Sequence, residues 1–445
     1  MPEPIISVSG LRGIVGETLT PDLAVRYVAA YASTLPEGRL LVARDGRTSG
    51  LMLARAVHAG LQAMGLDTLD AGVLPTPTVG VLMREVGAVG AVQITASHNP
   101  PEYNGLKLFS AAGRVIPAAA GEEVLRRYRQ GDPPWAPHDR MGSQRECVDV
   151  LAPHFERVIS AVDNTAIRAR GYRVVLDANH GAGSVLGRRL LEELGCRVTV
   201  LGDVQDGRFA HPAEPTEENL RDVCSQVTRL GADVGFCQDP DADRLAIIDA
   251  AGRYIGEEYT VAICARHLLA QRPGPVVINC ATSQMTCDIA QQFGVSCYRS
   301  AVGEANVVDM MIEHGATFGG EGNGGPIDPR VGLVRDSFIG MALVLDAMTA
   351  RGLSVAELAD ELPSYAIVKQ KAPVPPAGLA ATLEAIQSNF PDATPDRQDG
   401  LRLTWPDRWL LVRASNTEPI IRLIAEAPQR EEAEALCRKA AEGGA

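Results

Sequence analysis

Three similar α/β domains with mixed, mostly parallel sheets, followed by a smaller C-terminal α+β domain, are what this sequence predicts. An apolar strand, a polar loop, a helix, a glycine stop and a second strand recur three times along the chain. Units of that length favour parallel sheets covered by helices, whereas the last segment reads as short antiparallel strands. At 445 residues the chain exceeds the size at which one core keeps growing, so about three or four domains are expected.

In the first copy Leu40-Leu41-Val42-Ala43 runs into Asp45-Gly46-Arg47, a helix over roughly 50–63, Gly65 and a strand around Thr68-Leu69. In the second, Val174-Val175-Leu176-Asp177 leads through Asn179-His180-Gly181-Ala182-Gly183 into a helix ending before Gly195, then Arg197-Val198-Thr199-Val200. The third starts at Val276-Val277-Ile278-Asn279, crosses Ala281-Thr282-Ser283 and stops at Gly294 before a strand Val295-Ser296-Cys297-Tyr298. Beyond Pro373, Pro375 and Pro376 come a helix over 378–390, a hairpin of Leu401–Trp405 and Trp409–Val412, a strand Ile420–Ile424 and an amphipathic helix Arg430–Ala441. The expected domains are 1–150, 151–254, 255–368 and 369–445.

Lys plus Arg total 42 and Asp plus Glu 55, a net charge of −13, which argues against broad binding to nucleic acid or anionic membrane. Any anionic ligand must meet a local basic site. The nine cysteines include no C-x-x-C pair, and several lie in apolar runs, so reduced, buried thiols are expected. Met1-Pro2-Glu3-Pro4 shows neither a basic n-region nor an apolar h-region, and the apolar run Ile339–Leu345 meets Asp346 too soon to span a bilayer. A soluble, cytoplasmic monomer or homodimer is expected.

Four segments carry the chemistry. Thr95-Ala96-Ser97-His98-Asn99-Pro100, with Asn104, Gly105 and Lys107 behind it, suggests a hydroxyl that gains and loses a charged group; the competing account is a surface turn. Asp239-Pro240-Asp241-Ala242-Asp243-Arg244 follows an apolar strand end, where α/β sheets place ligands. Its three carboxylates suit a hard cation such as magnesium, provided the backbone turns around it. A solvated acidic turn competes, and the loop lacks the glycine and distal glutamate of an EF-hand.

Arg413-Ala414-Ser415-Asn416-Thr417-Glu418-Pro419, with Arg422 beyond it, offers guanidinium groups, hydroxyls and an amide as a phosphate cradle. The alternative is an exposed turn with surface arginines. Gly319-Gly320-Glu321-Gly322-Asn323-Gly324-Gly325 presents one acid and one amide, as recognition of sugar hydroxyls requires; a flexible turn competes. Three aspartates and one magnesium leave about −1, and a phosphoserine adds roughly −1.5 to −2. Arg12 (in Ser9-Gly10-Leu11-Arg12-Gly13), Lys107 and Arg244 are the candidate compensating cations. His58 and the Gly72–Pro77 run read as structural, while His180 and His211 stay open.

With these segments in this order, the chain resembles the alpha-D-phosphohexomutase family over nearly its whole length. Asp45–Arg47 and His211-Pro212-Ala213-Glu214-Pro215 with Glu218-Asn219-Leu220 are similar to lesser family signatures. The resemblance implies four domains around a central cleft, each giving one loop, and an enzyme that interconverts hexose 6-phosphate and hexose 1-phosphate. Phosphorylated Ser97 would exchange its phosphoryl group with the sugar through a hexose bisphosphate. One magnesium ion would be held by Ser97, Asp239, Asp241 and Asp243. Arg12, His98, Lys107 or Arg244 would act in the transfer, Glu321 and Asn323 would bind the sugar, and Arg413, Ser415, Asn416, Thr417 and Arg422 would hold the idle phosphate.

Many members carry Glu-x-Ser-Gly-His in the sugar loop, whereas here Gly325 stands in place of the histidine. The Glu-x-Asn-Gly-Gly form, with Val302-Gly303-Glu304-Ala305-Asn306-Val307, resembles the archaeal-type phosphoglucosamine mutase group, so glucosamine phosphate is the expected substrate and mannose or glucose phosphate the alternative. Pro240 replaces a frequent glycine but leaves the three acids in place. A serine-phosphoenzyme phosphatase and a non-catalytic phosphosugar-binding protein are the competing functions.

Overall fold

The three repeats build the same four-stranded unit. The computed structural model of the protein describes residues 5–7, 10–373, 378–414 and 420–443. The first domain contains β1 (Ile5–Ser7), β2 (Gly10–Ile14), α1 (Pro21–Ala32), β3 (Arg39–Arg44), α2 (Gly50–Ala63), β4 (Asp67–Val73), α3 (Thr76–Glu85), β5 (Gly90–Ile94), β6 (Tyr103–Ser110), β7 (Arg114–Val115), α4 (Ala118–Gln130) and β8 (Gln144–Glu146). The second has α5 (Ala152–Ser160), α6 (Asn164–Arg170), β9 (Arg173–Asp177), α7 (Ser184–Glu193), β10 (Arg197–Leu201), α8 (Arg221–Arg229), β11 (Val234–Gln238) and β12 (Leu245–Asp249).

The third comprises α9 (Glu257–Gln271), β13 (Val276–Asn279), α10 (Met285–Gln292), β14 (Cys297–Ser300), α11 (Glu304–His314), β15 (Phe318–Glu321), β16 (Gly325–Ile327), α12 (Ser337–Arg351) and α13 (Val355–Asp360). The fourth has β17 (Ala366–Pro373), α14 (Leu379–Asn389), β18 (Thr394–Asp396), β19 (Leu401–Thr404), β20 (Trp409–Ala414), β21 (Ile420–Ala427) and α15 (Arg430–Gly443).

The second and third sheets run β10-β9-β11-β12 and β14-β13-β15-β16, and the same order, β4-β3-β5-β6, lies inside the larger first sheet. In each unit the first three strands are parallel and the last is antiparallel. The fourth sheet, β17-β21-β20-β19-β18, is antiparallel throughout.

The expected glycine stops share one cause. Gly65, Gly195 and Gly294 are left-handed, with φ of 82°, 76° and 66°, and each lets the following residue bond back across the last helical turn. Those closures are Leu66 to Leu61, Cys196 to Leu191 and Val295 to Ala290, the Schellman pattern. In the third copy that bond commits Val295, so the strand starts at Cys297, two residues later than the sequence pattern suggests.

Leu40 to Ala43 on β3 and Val276 to Ile278 on β13 are buried on both faces, as parallel strands under two helical layers must be. Nearly every side chain of α12 from Ser337 to Met348 is buried. Together with α9 it forms one apolar core shared by the second and third domains. Among the described residues no helix is long and apolar enough to cross a membrane. The expectation that all cysteines are reduced is corrected: Cys287 on α10 and Cys297 on β14 form a disulfide, because the turn at Gly294 brings their Cα atoms to 5.3 Å.

Candidate active site

The three repeats place their chemistry at one topological position, the connection between the third parallel strand and the antiparallel strand after it. Ser97 lies between β5 and β6, the three aspartates between β11 and β12, and Asn323 between β15 and β16. Each loop turns at one left-handed residue: Ser97 (φ 49°), Ala242 (φ 57°) and Gly324 (φ 79°).

A non-glycine residue pays about 1–3 kcal/mol for such a backbone and keeps it only when its surroundings dictate it. Around Ser97 they do. Thr95 Oγ1 accepts the Ser97 N–H at 2.9 Å and donates to Asp45 Oδ2 at 2.7 Å. Arg47, which is 2% exposed, donates to the carbonyls of Ser97 (2.7 Å), Asn99 (2.6 Å), Pro100 (2.7 Å) and Tyr103 (2.9 Å), and through Nε to Asp45. The Asp45-Gly46-Arg47 segment therefore shapes the loop from beneath.

Ser97 Oγ donates to Asp239 Oδ2 at 2.7 Å, across the first and second domains, and lies 3.4 Å from His98 Nδ1. Asp239, Asp241 and Asp243 are fully buried, and one oxygen from each falls within 4.8 Å of the others. Burial and the two neighbouring carboxylates push Asp239 far above the usual carboxylate range. Lys107 on β6 approaches Asp241 at 3.4 Å and Asp243 at 3.0 Å. Burial would depress its ammonium, but Asp243 and Asp241 outweigh that and hold it above its ordinary value. Oδ1 of Asp241 and of Asp243 have no hydrogen-bond partner among the described residues. Three buried carboxylates converging on one point, two of them with an unpartnered oxygen, fit a hard divalent cation, which prefers oxygen ligands.

Thr76 gives the structural reading of its segment a specific partner. Within the Gly72–Pro77 run, Thr76 Oγ1 donates to Asp241 Oδ2 at 2.6 Å and its N–H to the Asp241 carbonyl at 2.9 Å. A threonine at a helix start carries no sequence signal for a partner 165 residues away.

Arg335, absent from the motifs, joins the loops. It donates to Asp243 Oδ2 at 2.6 Å, Glu321 Oε2 at 2.8 Å and Glu304 Oε2 at 3.2 Å. Its two successors fix it. Asp336 caps α12 and meets His154 at 2.8 Å; Ser337 donates to the Ala242 carbonyl at 2.7 Å. His154 in turn meets Thr78 of the first domain at 2.8 Å. Glu321 also accepts from Asn279 (2.7 Å), the Gly303 N–H (3.0 Å) and Asn323 (3.5 Å), so four protein donors already address its carboxylate. Asn323 Oδ1 is buried without a partner among the described residues. Burial, opposed by Arg335, lifts Glu304 to about 7.

Arg12 reaches Asn99 at 3.2 Å. Glu214 lies 3.5 Å from Arg244 and 3.9 Å from His98. Burial, then Arg244 and Arg12, lower His98 well below the ordinary imidazole value, so it is neutral near pH 7. His211 is bonded to Asp177 at 2.7 Å, and His180 to the Val204 carbonyl at 3.1 Å. His58 meets Thr68 at 2.8 Å within the first domain.

In the fourth domain Lys371, Arg422 and Arg413 are cross-strand neighbours on β17, β21 and β20. Arg413 also bonds Asp399 at 3.3 Å. The same sheet face packs Trp409, Leu411 and Ile424 against Cys280 of the third domain. Ser415, Asn416 and Thr417, like Ser9, lie outside the described residues.

Four family signatures match this layout. The phosphoglucomutase/phosphomannomutase alpha/beta/alpha domains I, II and III match residues 5–134, 152–252 and 257–365, and the C-terminal domain matches 367–443. The chain belongs to the phosphoglucomutase/phosphomannomutase family. A member named phosphoglucomutase/phosphomannomutase, from Thermococcus kodakarensis, is 38% identical over 432 residues, spanning 95% of this chain and 94% of its own. A probable phosphoglucosamine mutase of Pyrococcus abyssi is 36% identical over 437 residues, spanning 97% and 96%. The crystal structure of a phosphoglucomutase/phosphomannomutase family protein from Burkholderia thailandensis has a TM-score of 0.85 at 27% identity and covers 99% of this chain and 98% of that one. As a family member the chain is a phosphohexomutase, an isomerase.

Proposed function

We propose that this phosphohexomutase interconverts glucosamine 6-phosphate and glucosamine 1-phosphate through phosphorylated Ser97 and a hexose bisphosphate. The observation that carries the mechanism is the 2.7 Å contact between Ser97 Oγ and Asp239, which supports reading Ser97 as a phosphoryl carrier beside the buried aspartates. Those aspartates would hold one magnesium ion, with Ser97 as a further ligand. When bound, the ion neutralises charge on the transferring phosphoryl group.

In the first half-reaction the phosphorus–oxygen bond to Ser97 breaks as one forms to a sugar hydroxyl oxygen, and that hydroxyl's proton passes to a nearby base. The return step reverses this with the sugar's other phosphate. Neutral His98 fits the proton-acceptor role, while Lys107, Arg12 and Arg244 offset the anionic charge. Glu321 and Asn323 would bind the sugar, and Arg413 and Arg422, with Ser415, Asn416 and Thr417, the idle phosphate. The proposed functional units are 1–150, 151–254, 255–368 and 369–445, in a cytoplasmic monomer or homodimer.

The name of the Pyrococcus abyssi relative supports glucosamine; that of the Thermococcus kodakarensis relative supports glucose and mannose phosphates as the alternative. Comparing kcat/KM for the three sugar phosphates decides between them. Ser97→Ala is expected to abolish turnover while retaining sugar phosphate binding. Near-normal isomerisation by that variant, or abundant free phosphate with little isomer from the wild type, overturns the mutase mechanism.

A further inference from the structure

Arg335 is the single side chain among the described residues seen to bond an acid of the metal loop and the acid of the sugar loop at once. Its guanidinium addresses three carboxylates: Asp243 from the β11–β12 loop, Glu321 at the end of β15 and Glu304 at the start of α11. The group is planar and its donors are rigidly related, so a shift of one carboxylate disturbs the geometry of the other two. Arg335 and Lys107 both occupy Oδ2 of Asp243, leaving Oδ1 as the unpartnered oxygen. The orientation of Asp243 toward a cation is thus set by the same side chain that orients Glu321.

Gly325 is what lets Arg335 cross to these partners. A Cβ at position 325 would lie 2.4 Å from Arg335 Cδ and 2.8 Å from its Cγ. Where many family members carry a histidine, this chain has the stem of Arg335 in the space that side chain would enter. The backbone at 335 has little freedom, since Asp336 and Ser337 are bonded to His154 and Ala242.

We propose that Arg335 is a positioning residue that makes cation binding at the aspartate loop and sugar phosphate binding at the Glu321 loop mutually dependent. The inference rests on the sugar phosphate reading of the site. Linkage makes the dependence reciprocal, and couplings of this kind typically amount to about 5- to 150-fold in affinity.

Calorimetric titration of the full-length protein tests it, using magnesium chloride and glucosamine 6-phosphate, each alone and in the presence of the other. The wild type is expected to bind the sugar phosphate more tightly with magnesium, by a factor in that range. In Arg335→Met the factor should fall toward one, and Arg335→Lys, which keeps the charge but not the three-way fork, should lie between. Gly325→Ala, which displaces the stem and leaves the guanidinium, should also reduce it. Circular dichroism reports whether each variant folds; should Arg335→Met fail, Arg335→Lys and Gly325→Ala decide. An unchanged factor in the folded variants, or a wild-type factor of one, overturns the role of Arg335. A wild type that binds no hexose phosphate instead overturns the substrate reading.

Discussion

Replacing Arg47 by Met is the sharpest test of how Ser97 is held. The substitution removes a buried guanidinium from Asp45 and from four backbone carbonyls of the 97–103 segment. Removing one partner of a buried ion pair costs about 3–5 kcal/mol, because the other charge stays buried. Burial already raises the Asp45 pKa, with Arg47 the main opposing influence, so the stranded carboxyl takes up a proton and the lower half of that range applies. At about 2–4 °C per kcal/mol the first domain should melt roughly 6–16 °C lower. Turnover reports separately on positioning. Without the clamp the left-handed Ser97 can relax, releasing about 1–3 kcal/mol of backbone strain, and restoring it in the transition state slows kcat by about 5- to 150-fold. Scanning calorimetry and steady-state kinetics should be run on Arg47→Met, Asp45→Asn and the double variant. The double variant should be less destabilised than the sum of the singles by about 0.5–3 kcal/mol. Additive losses refute the ion-pair argument; a destabilised Arg47→Met with unchanged kcat refutes the link to Ser97.

Other outcomes are equally specific. Arg422→Ala should raise KM about 10- to 150-fold, the value of one charge-assisted hydrogen bond of about 1.5–3 kcal/mol; unchanged kinetics remove Arg422 from the phosphate cradle. Gly322→Ala places a Cβ 2.1 Å from Glu258 Oε1, driving that carboxylate off the Ser283 N–H, and should raise KM more than it lowers kcat; equal effects would contradict a binding role for the loop. Magnesium at about 100 times its Kd should stabilise the protein by about 2.7 kcal/mol in urea unfolding, and Asp241→Asn should lose the effect; equal stabilisation of both proteins speaks against the aspartate site. Burial would lower His211, but Asp177 overrides it and raises the imidazole above its ordinary value of 6.5. Its contribution to stability is therefore complete below that value and is lost as pH rises through the folded-state pKa. Unfolding measured from about pH 6 to about pH 8.5 should show this fall in the wild type and a flatter profile in Asp177→Asn; identical profiles would discount the pair.

The elements legible in the sequence are those whose cause is local. Gly65, Gly195 and Gly294 end helices because a left-handed residue is needed one position past the last turn, and a glycine between two periodic segments announces that directly. The three aspartates were legible for a similar reason, since their spacing within five residues already suggests convergence. The start of β14 was not, because hydrophobicity around Val295 does not reveal that its N–H is committed to Ala290. Thr76, Arg335 and the Cys287–Cys297 disulfide share another obstacle. Their roles arise from partners brought together by the packing of helices and sheets, and nothing in their own neighbourhood distinguishes them from a capping threonine, a surface arginine or a buried thiol. Arg47 stands between the two cases: its motif was visible, but its four carbonyl partners were not.

The common scaffold explains why these particular loops carry the chemistry. In all three repeats a side chain at the last residue of the first strand, or just past it, accepts the backbone N–H two residues on: Asp45 from Arg47, Asp177 from Asn179 and Asn279 from Ala281. That bond tightens the turn into the next helix and leaves room at the carboxyl ends of the parallel strands, where α/β sheets place ligands. The reversal into the antiparallel strand then projects a loop over the same end of the sheet. Three sheets can thus bring a hydroxyl, a set of carboxylates and an acid–amide pair together, each on a loop supported by its own strands. The fourth domain supplies positive charge by a different device. Lys371, Arg422 and Arg413 stand side by side across three antiparallel strands, where directly opposed like charges are unfavourable. Asp399 offsets Arg413 at 3.3 Å, and a phosphate held over the row, as proposed above, would meet guanidinium groups that can pair with its oxygens bidentately.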